Sequence, residues 1–390
     1  MKRIFTLRFM LISLFAVMGM AMNAEVFEYT DGDFKYSLDT ETKTAALSKY
    51  SGSATEVTIP ESVTHDDVTY SVTSLGDYCF YYCRALTSIT IPSSVTSLGE
   101  DCFSGCSSLT SIDIPSSVTS LGGYCFYGCS ALTSIFIPSS VTSLVNSCFY
   151  GCSALTSIIV DENNPVFDSR ENCNGIIVTE SNTMLLGCAS TLIPSSVTSL
   201  GSYCFKHCSS LTTIDIPSSV TSLGEGCFES CKALTSIDIP SSVTSLGKWC
   251  FDYCWALTSI DIPSSVTSIG DACFSNCSSL TSIDIPSSVT SLGNSCFSNC
   301  WALTSIDIPS SVTRLGEGCF QSCRALTSIT IPSSVTGLGN SCFSGCSSLT
   351  SIDIPSSVIS LGDGCFGGCS ALTSVTIPSS VTSLGDGCFY

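Results

Sequence analysis

The sequence is poor in basic residues and in histidine. Thirteen Lys and Arg stand against 32 Asp and Glu among 390 residues, and the formal net charge is −19. Nucleic-acid binding depends on Lys and Arg that neutralise phosphates, so this balance argues against a nucleic-acid partner and also disfavours anionic lipid. With only His65 and His207, no Ser-His-Asp or Cys-His set is discernible, and we predict that the chain is not an enzyme.

Long apolar runs are also scarce. The one such run covers residues 9–22, follows the basic pair Lys2-Arg3 and is too short to span a bilayer comfortably. We therefore interpret residues 1–24 as a signal peptide with cleavage after Ala24, or alternatively after Ala21. A membrane anchor is the other interpretation. Because no second long run follows, we expect a secreted or cell-surface protein with no membrane insertion after signal removal.

Proline is almost confined to one recurring place. Thirteen of the 14 prolines follow Ile in a 23-residue unit, Ile-Pro-Ser-Ser-Val-Thr-Ser-Leu-Gly-x-x-Cys-Phe-x-x-Cys-x-x-Leu-Thr-Ser-Ile-x. A fixed period of this length indicates a solenoid, in which each unit contacts only its neighbours. The Ile of the unit is Ile59, Ile91, Ile114, Ile137, Ile193, Ile216, Ile239, Ile262, Ile285, Ile308, Ile331, Ile354 and Ile377.

Each unit contains Leu-x-x-Ile-x-Ile, which is the spacing of a leucine-rich repeat. Ile112 and Ile114 are two residues apart and point to one face of a strand, whereas Asp113 points to the other. Pro115 ends this strand because it lacks the N–H that a ladder requires. The Gly-x-x-Cys-Phe-x-x-Cys segment predicts a short helical turn, and Ser117 with its equivalents predicts a ladder of hydroxyl hydrogen bonds between successive backbones.

The fold class that follows is α/β: a leucine-rich-repeat solenoid with a curved parallel sheet on the concave side and short helical turns on the convex side. Residues 25–58 lack the repeat and carry Asp31-Gly32 between alternating apolar residues, so we predict an N-terminal β-rich cap. Residues 59–390 are the repeats. Asn174-Gly175 predicts a hairpin-bearing insertion near residues 160–192.

Cysteine is abundant, and 24 of the 27 cysteines form twelve Cys-Phe-x-x-Cys pairs. Buried free thiols are the first interpretation, because free Cys behaves as a core residue. Disulfides between adjacent repeats are the second, since an exported chain meets an oxidising environment. A zinc site would have to consist of thiolates alone, and we predict no metal at these cysteines.

The residue between the two strand isoleucines is often acidic. Stacked strands about 4.8 Å apart would align these carboxylates in a row. Such a row is a candidate binding site for a cationic partner or for Ca²⁺, which prefers carboxylate oxygens; no other cofactor is indicated. The alternative is a solvated polar face that keeps the sheet soluble. The acidic residues are Asp113, Asp215, Asp238, Asp261, Asp284, Asp307 and Asp353.

Variation among the repeats gathers beside the cysteines. Trp255 and Trp301 each follow the second Cys of a pair, and Arg84, Lys232 and Arg324 occupy the same position in other units. Trp, Tyr and Arg are the residue types that anchor interfaces, so the two tryptophans are candidate binding residues. Neutral drift on a tolerant loop is the alternative.

The pattern Leu-x-x-Ile-x-Ile-Pro-x-Ser-Val-x-x-Leu-Gly-x-x-Cys-Phe-x-x-Cys closely resembles the treponemal-type leucine-rich repeats of the BspA-like surface antigens, over about residues 59–390. Family members are exported, and some are adhesins that bind host matrix proteins such as fibronectin and fibrinogen. The resemblance thus implies an adhesin-type protein that binds an extracellular protein or glycan. A structural or antigenic surface spacer is the alternative. One departure is the first Cys of each pair, such as Cys102, where the family usually has Ala.

Overall fold

The computed structural model describes residues 26–390, and the signal peptide expected in residues 1–24 lies outside them. The described chain winds into a β-solenoid whose coils of 23 residues stack on one another and contribute short strands to shared sheets. The predicted solenoid is therefore confirmed. Helix within the described residues is limited to two 3-10 turns, Asn146–Phe149 and Arg170–Asn172.

A seven-stranded sheet covers the first part of the described chain. Strands β1, β2 and β3 are antiparallel, and the hairpin predicted at Asp31-Gly32 joins β1 to β2. β3 then pairs in parallel with β6, which continues to β8 and β9, while β5 pairs with β6 and β4 pairs separately with β7. The strands are β1 (Val26–Asp31), β2 (Phe34–Asp39), β3 (Thr44–Tyr50), β4 (Glu56–Thr58), β5 (Ser62–His65), β6 (Val68–Leu75), β7 (Ser88–Thr90), β8 (Ser97–Leu98) and β9 (Ser120–Leu121).

The first three strands also pack against the first repeat. Tyr36 and Leu38 of β2 are fully buried. The ring of Tyr50 in β3 stacks on that of Phe80, with centroids 5.1 Å apart. These strands continue the sheet, and the role of residues 25–58 as a cap stays a prediction.

A second, twelve-stranded sheet covers the rest of the chain. β12 and β13 form an antiparallel pair whose connection ends at the predicted Asn174-Gly175, and β13 and β14 form a second one whose turn lies at residues 179–182. β14 pairs in parallel with β15, and each later strand pairs with the next. The strands are β10 (Ser134–Ile137) and β11 (Ser157–Val160), which pair separately, then β12 (Phe167–Asp168), β13 (Gly175–Val178), β14 (Thr183–Gly187), β15 (Ser199–Leu200), β16 (Ser222–Leu223), β17 (Ser245–Leu246), β18 (Ser268–Ile269), β19 (Ser291–Leu292), β20 (Arg314–Leu315), β21 (Gly337–Leu338), β22 (Ser360–Leu361) and β23 (Ser383–Leu384).

The continuous sheet lies at a different part of the repeat from the predicted strand. In the later coils it is formed by the Ser-Leu dipeptide, as in the pairing of Leu246 with Ile269. The Ile-Asp-Ile segment contributes only single bridges there, such as the one between Asp261 and Asp284. At the same repeat position in the earlier coils, the pairing is longer, with four residues in β10 and β11.

The Cys-Phe segments form turns, and the predicted short helical turns are not confirmed apart from the 3-10 turn Asn146–Phe149. Most of the other turns contain two residues with a left-handed backbone, for example Gly226 and Ser230 with φ of 57° and 61°. A left-handed residue cannot continue a right-handed helix. The backbone donors instead reach the next coil, as where the Phe228 N–H donates to the carbonyl of Cys250 at 2.8 Å.

Phenylalanine rings form the centre of the core in two columns. Neighbouring rings have centroids 5.2–5.5 Å apart and are nearly parallel. Between the columns, Gly187 stands where a Phe would be, and a Cβ there would overlap the ring of Phe205. The columns are Phe80, Phe103, Phe126 and Phe149, and then Phe205, Phe228, Phe251, Phe274, Phe297, Phe320, Phe343, Phe366 and Phe389.

The predicted hydroxyl ladder is confirmed. Ser265 Oγ donates to the carbonyl of Val243 in the preceding coil at 2.7 Å, and nine other serines repeat this bond. The ladder is interrupted at Ser140, whose buried hydroxyl has no partner among the described residues. In the next coil Asn164 takes over, with its amide donating to the carbonyl of Val141 at 2.8 Å.

The cysteines are buried free thiols, which was the first of the three interpretations. All 27 are unpaired, and all except the half-buried Cys83 and Cys208 are buried. The second thiol of a pair donates to a carbonyl of the preceding coil, as Cys346 Sγ does to Phe320 O at 3.2 Å. Burial raises the pKa of Cys346 to about 12, so this thiol keeps its proton at neutral pH.

Candidate functional site

The acidic residues lie on one face of the coils, and all seven are exposed. Asp238, Asp261, Asp284 and Asp307 are successive register partners, so four coils carry an unbroken row of carboxylates. Asp215 precedes this row by one coil, and Asp353 continues it after Thr330. The predicted alignment of carboxylates is thus seen from Asp238 to Asp307, and their role in binding stays a prediction. Asp113, however, lies before the insertion, apart from them.

The same repeat position is apolar just before the acidic row. Phe136, Ile159 and Leu192 occupy it and are 48%, 49% and 72% exposed. Phe136 and Ile159 are register partners in β10 and β11, and Leu192 lines a recess of about 380 Å³ together with Asp215. Sequence reasoning missed these residues. Comparison of this one position across all repeats is the signal that would have found them.

The acidic row does not form a cage of converging ligands. In residues 26–390 no three or more His, Cys, Asp or Glu side chains come together in a way that could hold a metal ion. Ca²⁺ at this row therefore stays an expectation from the sequence.

Trp255 and Trp301 lie at the same repeat position, two coils apart, with Ser278 at that position in the coil between them. Both indoles are about half exposed. Lys232, one coil before Trp255, places its Nζ 4.4 Å from the centroid of that indole. Arg324, one coil after Trp301, places its guanidinium carbon 5.4 Å from the other. Five successive coils thus present the order Lys, Trp, Ser, Trp, Arg, and each indole has one face in contact with a cation.

A cleft of about 580 Å³ opens between the two indoles. We call it the tryptophan cleft. Its lining mixes aromatic rings with hydroxyl and amide groups and contains one cation but no carboxylate. The lining residues are Lys232, Tyr253, Trp255, Ala256, Asn276, Ser278, Ser279, Asn299 and Trp301.

A chain of hydrogen bonds fixes the amides of the tryptophan cleft. Asn299 Nδ2 donates to Asn276 Oδ1 at 3.1 Å, and Asn276 Nδ2 donates to Asp252 Oδ1 at 3.0 Å. Burial raises the pKa of Asp252 above its usual range, although the bond from Asn276 opposes this. Both the nitrogen and the oxygen of the Asn276 side-chain amide are hydrogen-bonded. Asn276 therefore holds the side-chain amide of Asn299, which lines the cleft, in one orientation.

A second cleft, of about 680 Å³, lies on the same side of the molecule nearer the start of the chain and is lined largely by tyrosines. Its polar contacts are already made within the protein. Tyr203 donates its hydroxyl proton to Glu225 Oε1 at 2.6 Å, and Lys206 Nζ lies 3.0 Å from Glu229 Oε2. Burial, followed by the bond to Glu225, raises the pKa of Tyr203. The internal pairing leaves this cleft fewer groups for a ligand than the tryptophan cleft has.

No helix in the described part of the chain is long and apolar enough to cross a membrane.

Comparison with known proteins agrees with the repeat architecture. A family model described as BspA type leucine rich repeat region, in six copies, matches residues 73–175, 187–304 and 290–390. No curated protein sequence matches the chain significantly.

Solved structures are similar along almost the whole chain. A leucine-rich repeat protein from Bacteroides ovatus is 29% identical over 93% of this chain and 92% of its own, with a TM-score of 0.57. A leucine-rich cell surface protein from Faecalibacterium prausnitzii is 30% identical over 92% of this chain and 94% of its own, with a TM-score of 0.60. The pneumococcal vaccine antigen PcpA, 16% identical over 79% of this chain and 95% of its own, shares the fold, with a TM-score of 0.56.

Proposed function

The chain belongs to the BspA-type leucine-rich repeat family, and on that premise we propose that it is a cell-surface or secreted, adhesin-type protein. It binds an extracellular protein or glycan through outward side chains of its coils, and host matrix proteins are candidates. The description of the Faecalibacterium relative as a cell surface protein supports this location.

The tryptophan cleft is the observation that carries the proposal. Trp is among the residues that dominate binding energies, and large apolar side chains left in solvent mark interaction sites. Here two indoles stand half exposed on either side of a cleft, each held from behind by a cation. Repeated coils offer rows of side chains and not one enclosed set of unique catalytic groups, which is why we propose binding and not catalysis.

A surface spacer without a dedicated ligand is the second candidate. Four successive coils present the same Asp at the same register, as a solvated face with no ligand would. The two candidates differ in what they predict for binding assays.

Retention on an immobilised chain separates the candidates. Residues 25–390 are coupled to a support, and fibronectin, fibrinogen and a panel of glycans are passed over it at low and high salt, with and without EDTA. We expect retention of at least one of them, and we expect it to fall at least tenfold in Trp255→Ala and Trp301→Ala. Trp249→Ala is the matched control, because Trp249 is also exposed but lies outside the cleft.

Replacement of Asp215, Asp238, Asp261, Asp284 and Asp307 by Asn in the same assay tests the acidic row. Loss of retention in this variant, or on addition of EDTA, would assign the row to a cationic partner or to Ca²⁺, respectively. If nothing in the panel is retained, the spacer is the better description.

A further inference from the structure

We propose that the tryptophan cleft binds a pyranose ring of a neutral glycan, which lies between the two indoles. This inference rests on the proposed binding function and names the class of its ligand.

The spacing of the coils leaves room for one ring. Successive Phe rings in these coils, Phe251, Phe274 and Phe297, have centroids 5.5 Å apart. Equivalent positions two coils apart are therefore separated by roughly 11 Å, twice that step. A ligand ring midway would be about 5.5 Å from each indole, within the range of about 4.5–7 Å at which stacked rings interact. Ser278 is the small side chain that keeps this place open.

The indoles are held in place before any ligand arrives. Lys232 covers Trp255 from the preceding coil, and Arg324 covers Trp301 from the following coil. Each cation–indole contact restricts the rotamers of both side chains and leaves the opposite face of the indole open to the cleft. Binding therefore requires little further ordering, and less of the interaction energy is lost to it.

The polar groups of the cleft favour a sugar over an aromatic side chain of a protein partner. The hydroxyls of Ser278 and Ser279 and the amide of Asn299 line it. A pyranose has an apolar C–H face for the indoles and hydroxyls at its edge for these groups. Ser278 Oγ also donates to the carbonyl of Trp255 at 3.5 Å, and Asn299 Nδ2 to Asn276 Oδ1 at 3.1 Å. A Phe or Tyr ring in the same place could not bond to the donors and acceptors that remain, at a cost of about 1–3 kcal/mol for each one that it buries.

The charge of the cleft argues against a quaternary ammonium ligand, the other usual occupant of aromatic cages. No carboxylate lines the cleft, and Lys232 supplies its one formal charge. An ammonium ligand would meet the like charge of Lys232 and no carboxylate in the lining, whereas a neutral sugar carries no charge for Lys232 to repel.

Intrinsic fluorescence tests the ligand class directly. The chain has three tryptophans, so Trp249→Phe leaves only the two indoles of the cleft. This variant is titrated with cellobiose, N,N′-diacetylchitobiose and lactose, and in parallel with tetramethylammonium chloride and N-acetyltyrosinamide. We expect a saturable change in emission with at least one saccharide, at a concentration at least tenfold lower than with either comparison compound. No response to any of the saccharides, or a stronger response to either comparison compound, overturns the proposal.

A variant that fills the cleft gives a second test, read by calorimetry with the best saccharide. Ser278→Trp places a third indole between the other two, and we expect at least a tenfold loss of affinity. Ser347→Trp is the matched control, because Ser347 has the same repeat position in a coil beyond Arg324, and we expect no change. Equal losses in the two variants would contradict the proposal. Circular dichroism of both verifies that they fold.

The failure of this inference is distinct from that of the proposed function. If the immobilised chain retains a matrix protein in a Trp255-dependent manner but no saccharide binds, the cleft takes a protein partner; the glycan proposal is then overturned and the binding function stands.

Discussion

The coils before and after the insertion share one core but present different surfaces. We call residues 26–160 the N-terminal block and residues 193–390 the C-terminal block. In both, Phe rings stack and cysteines are buried. At the exposed position between the strand isoleucines, the N-terminal block ends in Phe136 and Ile159, whereas the C-terminal block begins with Asp215 and Asp238. Each buried side chain packs against the equivalent side chain of the next coil, so the residue type at buried positions is constrained. Exposed side chains have no such constraint, and differences in function between repeats can therefore arise only at exposed positions.

The two blocks meet at an imperfect junction. Gly187 replaces a Phe and separates the two columns of rings, and the hydroxyl ladder loses its partner at Ser140. The two sheets are also separate. Because coupling in a solenoid passes between adjacent coils, this junction is where cooperativity between the blocks should be weakest.

Alkaline pH should produce the largest difference between the blocks. Burial raises the pKa of Cys250 to about 12 from an ordinary value of 9.0. Between these values the unfolded chain loses the proton and the folded chain keeps it. Stability is therefore full below about pH 9 and is lost as the pH rises towards 12, by about 1.4 kcal/mol per pH unit for each such thiol. Burial raises the pKa of all 17 cysteines of the C-terminal block and of six cysteines of the N-terminal block, so we expect the C-terminal block to unfold first.

Thermal unfolding in reductant from pH 7 to 11 measures this effect. Tryptophan fluorescence follows the C-terminal block, since Trp249, Trp255 and Trp301 all lie there, and circular dichroism follows the whole chain. The control is Cys250→Ala. It removes one thiol, so the loss of stability per pH unit should become smaller by about 1.4 kcal/mol. A midpoint that stays constant to pH 11 would show that these thiols do not differ in ionisation between the folded and unfolded states.

Truncation of one ring in each column should give the next largest effect. Phe274→Ala and Phe126→Ala each remove a buried ring, and we expect a loss of about 3–5 kcal/mol from the free energy of unfolding of the affected block. In urea titrations, Phe274→Ala should shift the fluorescence transition to lower urea. Phe126→Ala should shift only part of the circular dichroism transition. An equal shift of fluorescence in both variants would mean that the blocks unfold as one unit.

The hydroxyl ladder should give the smallest effect. Ser265→Ala leaves the carbonyl of Val243 without its donor and should cost about 1 kcal/mol. Ser140→Ala removes a buried hydroxyl that has no partner among the described residues, so its cost should be near zero or reversed in sign. Urea midpoints of the two variants test this. Similar losses would indicate that Ser140 is bonded in solution.

The solenoid was predictable because the apolar residues that recur every 23 positions are also the residues that point into the core. The continuous sheet was not predictable. Its strands, such as Ser245–Leu246, are two residues long and show no alternation. The helical spacing of Cys250 and Cys254 predicts a helix there, although the segment forms a turn. Gly226 and Gly318, which precede the first Cys in their own units, are the residues that point to a left-handed backbone there.

The candidate site was predictable in part. Residue type alone singled out Trp255 and Trp301, and the single Asp per unit indicated the acidic row. The cleft itself depends on the small Ser278 between the two indoles and on the cations Lys232 and Arg324 on their outer faces. The type of a single residue does not reveal this arrangement. Only alignment of one position across five coils shows the open place at Ser278 between two cation-backed rings.

The gap between the indoles can change only by whole coils, because each insertion or deletion that keeps the core adds or removes one 23-residue unit. Loss of one unit, residues 262–284, would bring Trp255 and Trp301 onto adjacent coils about 5.5 Å apart and close the gap, by the stacking distance of the rings beneath them. Gain of a unit would widen it by the same amount, and in either case the core would be unchanged. Unequal exchange between tandem copies in the gene would therefore change the size of the accepted ligand in steps of one coil, while the stability would change by the contribution of one repeat and its interface.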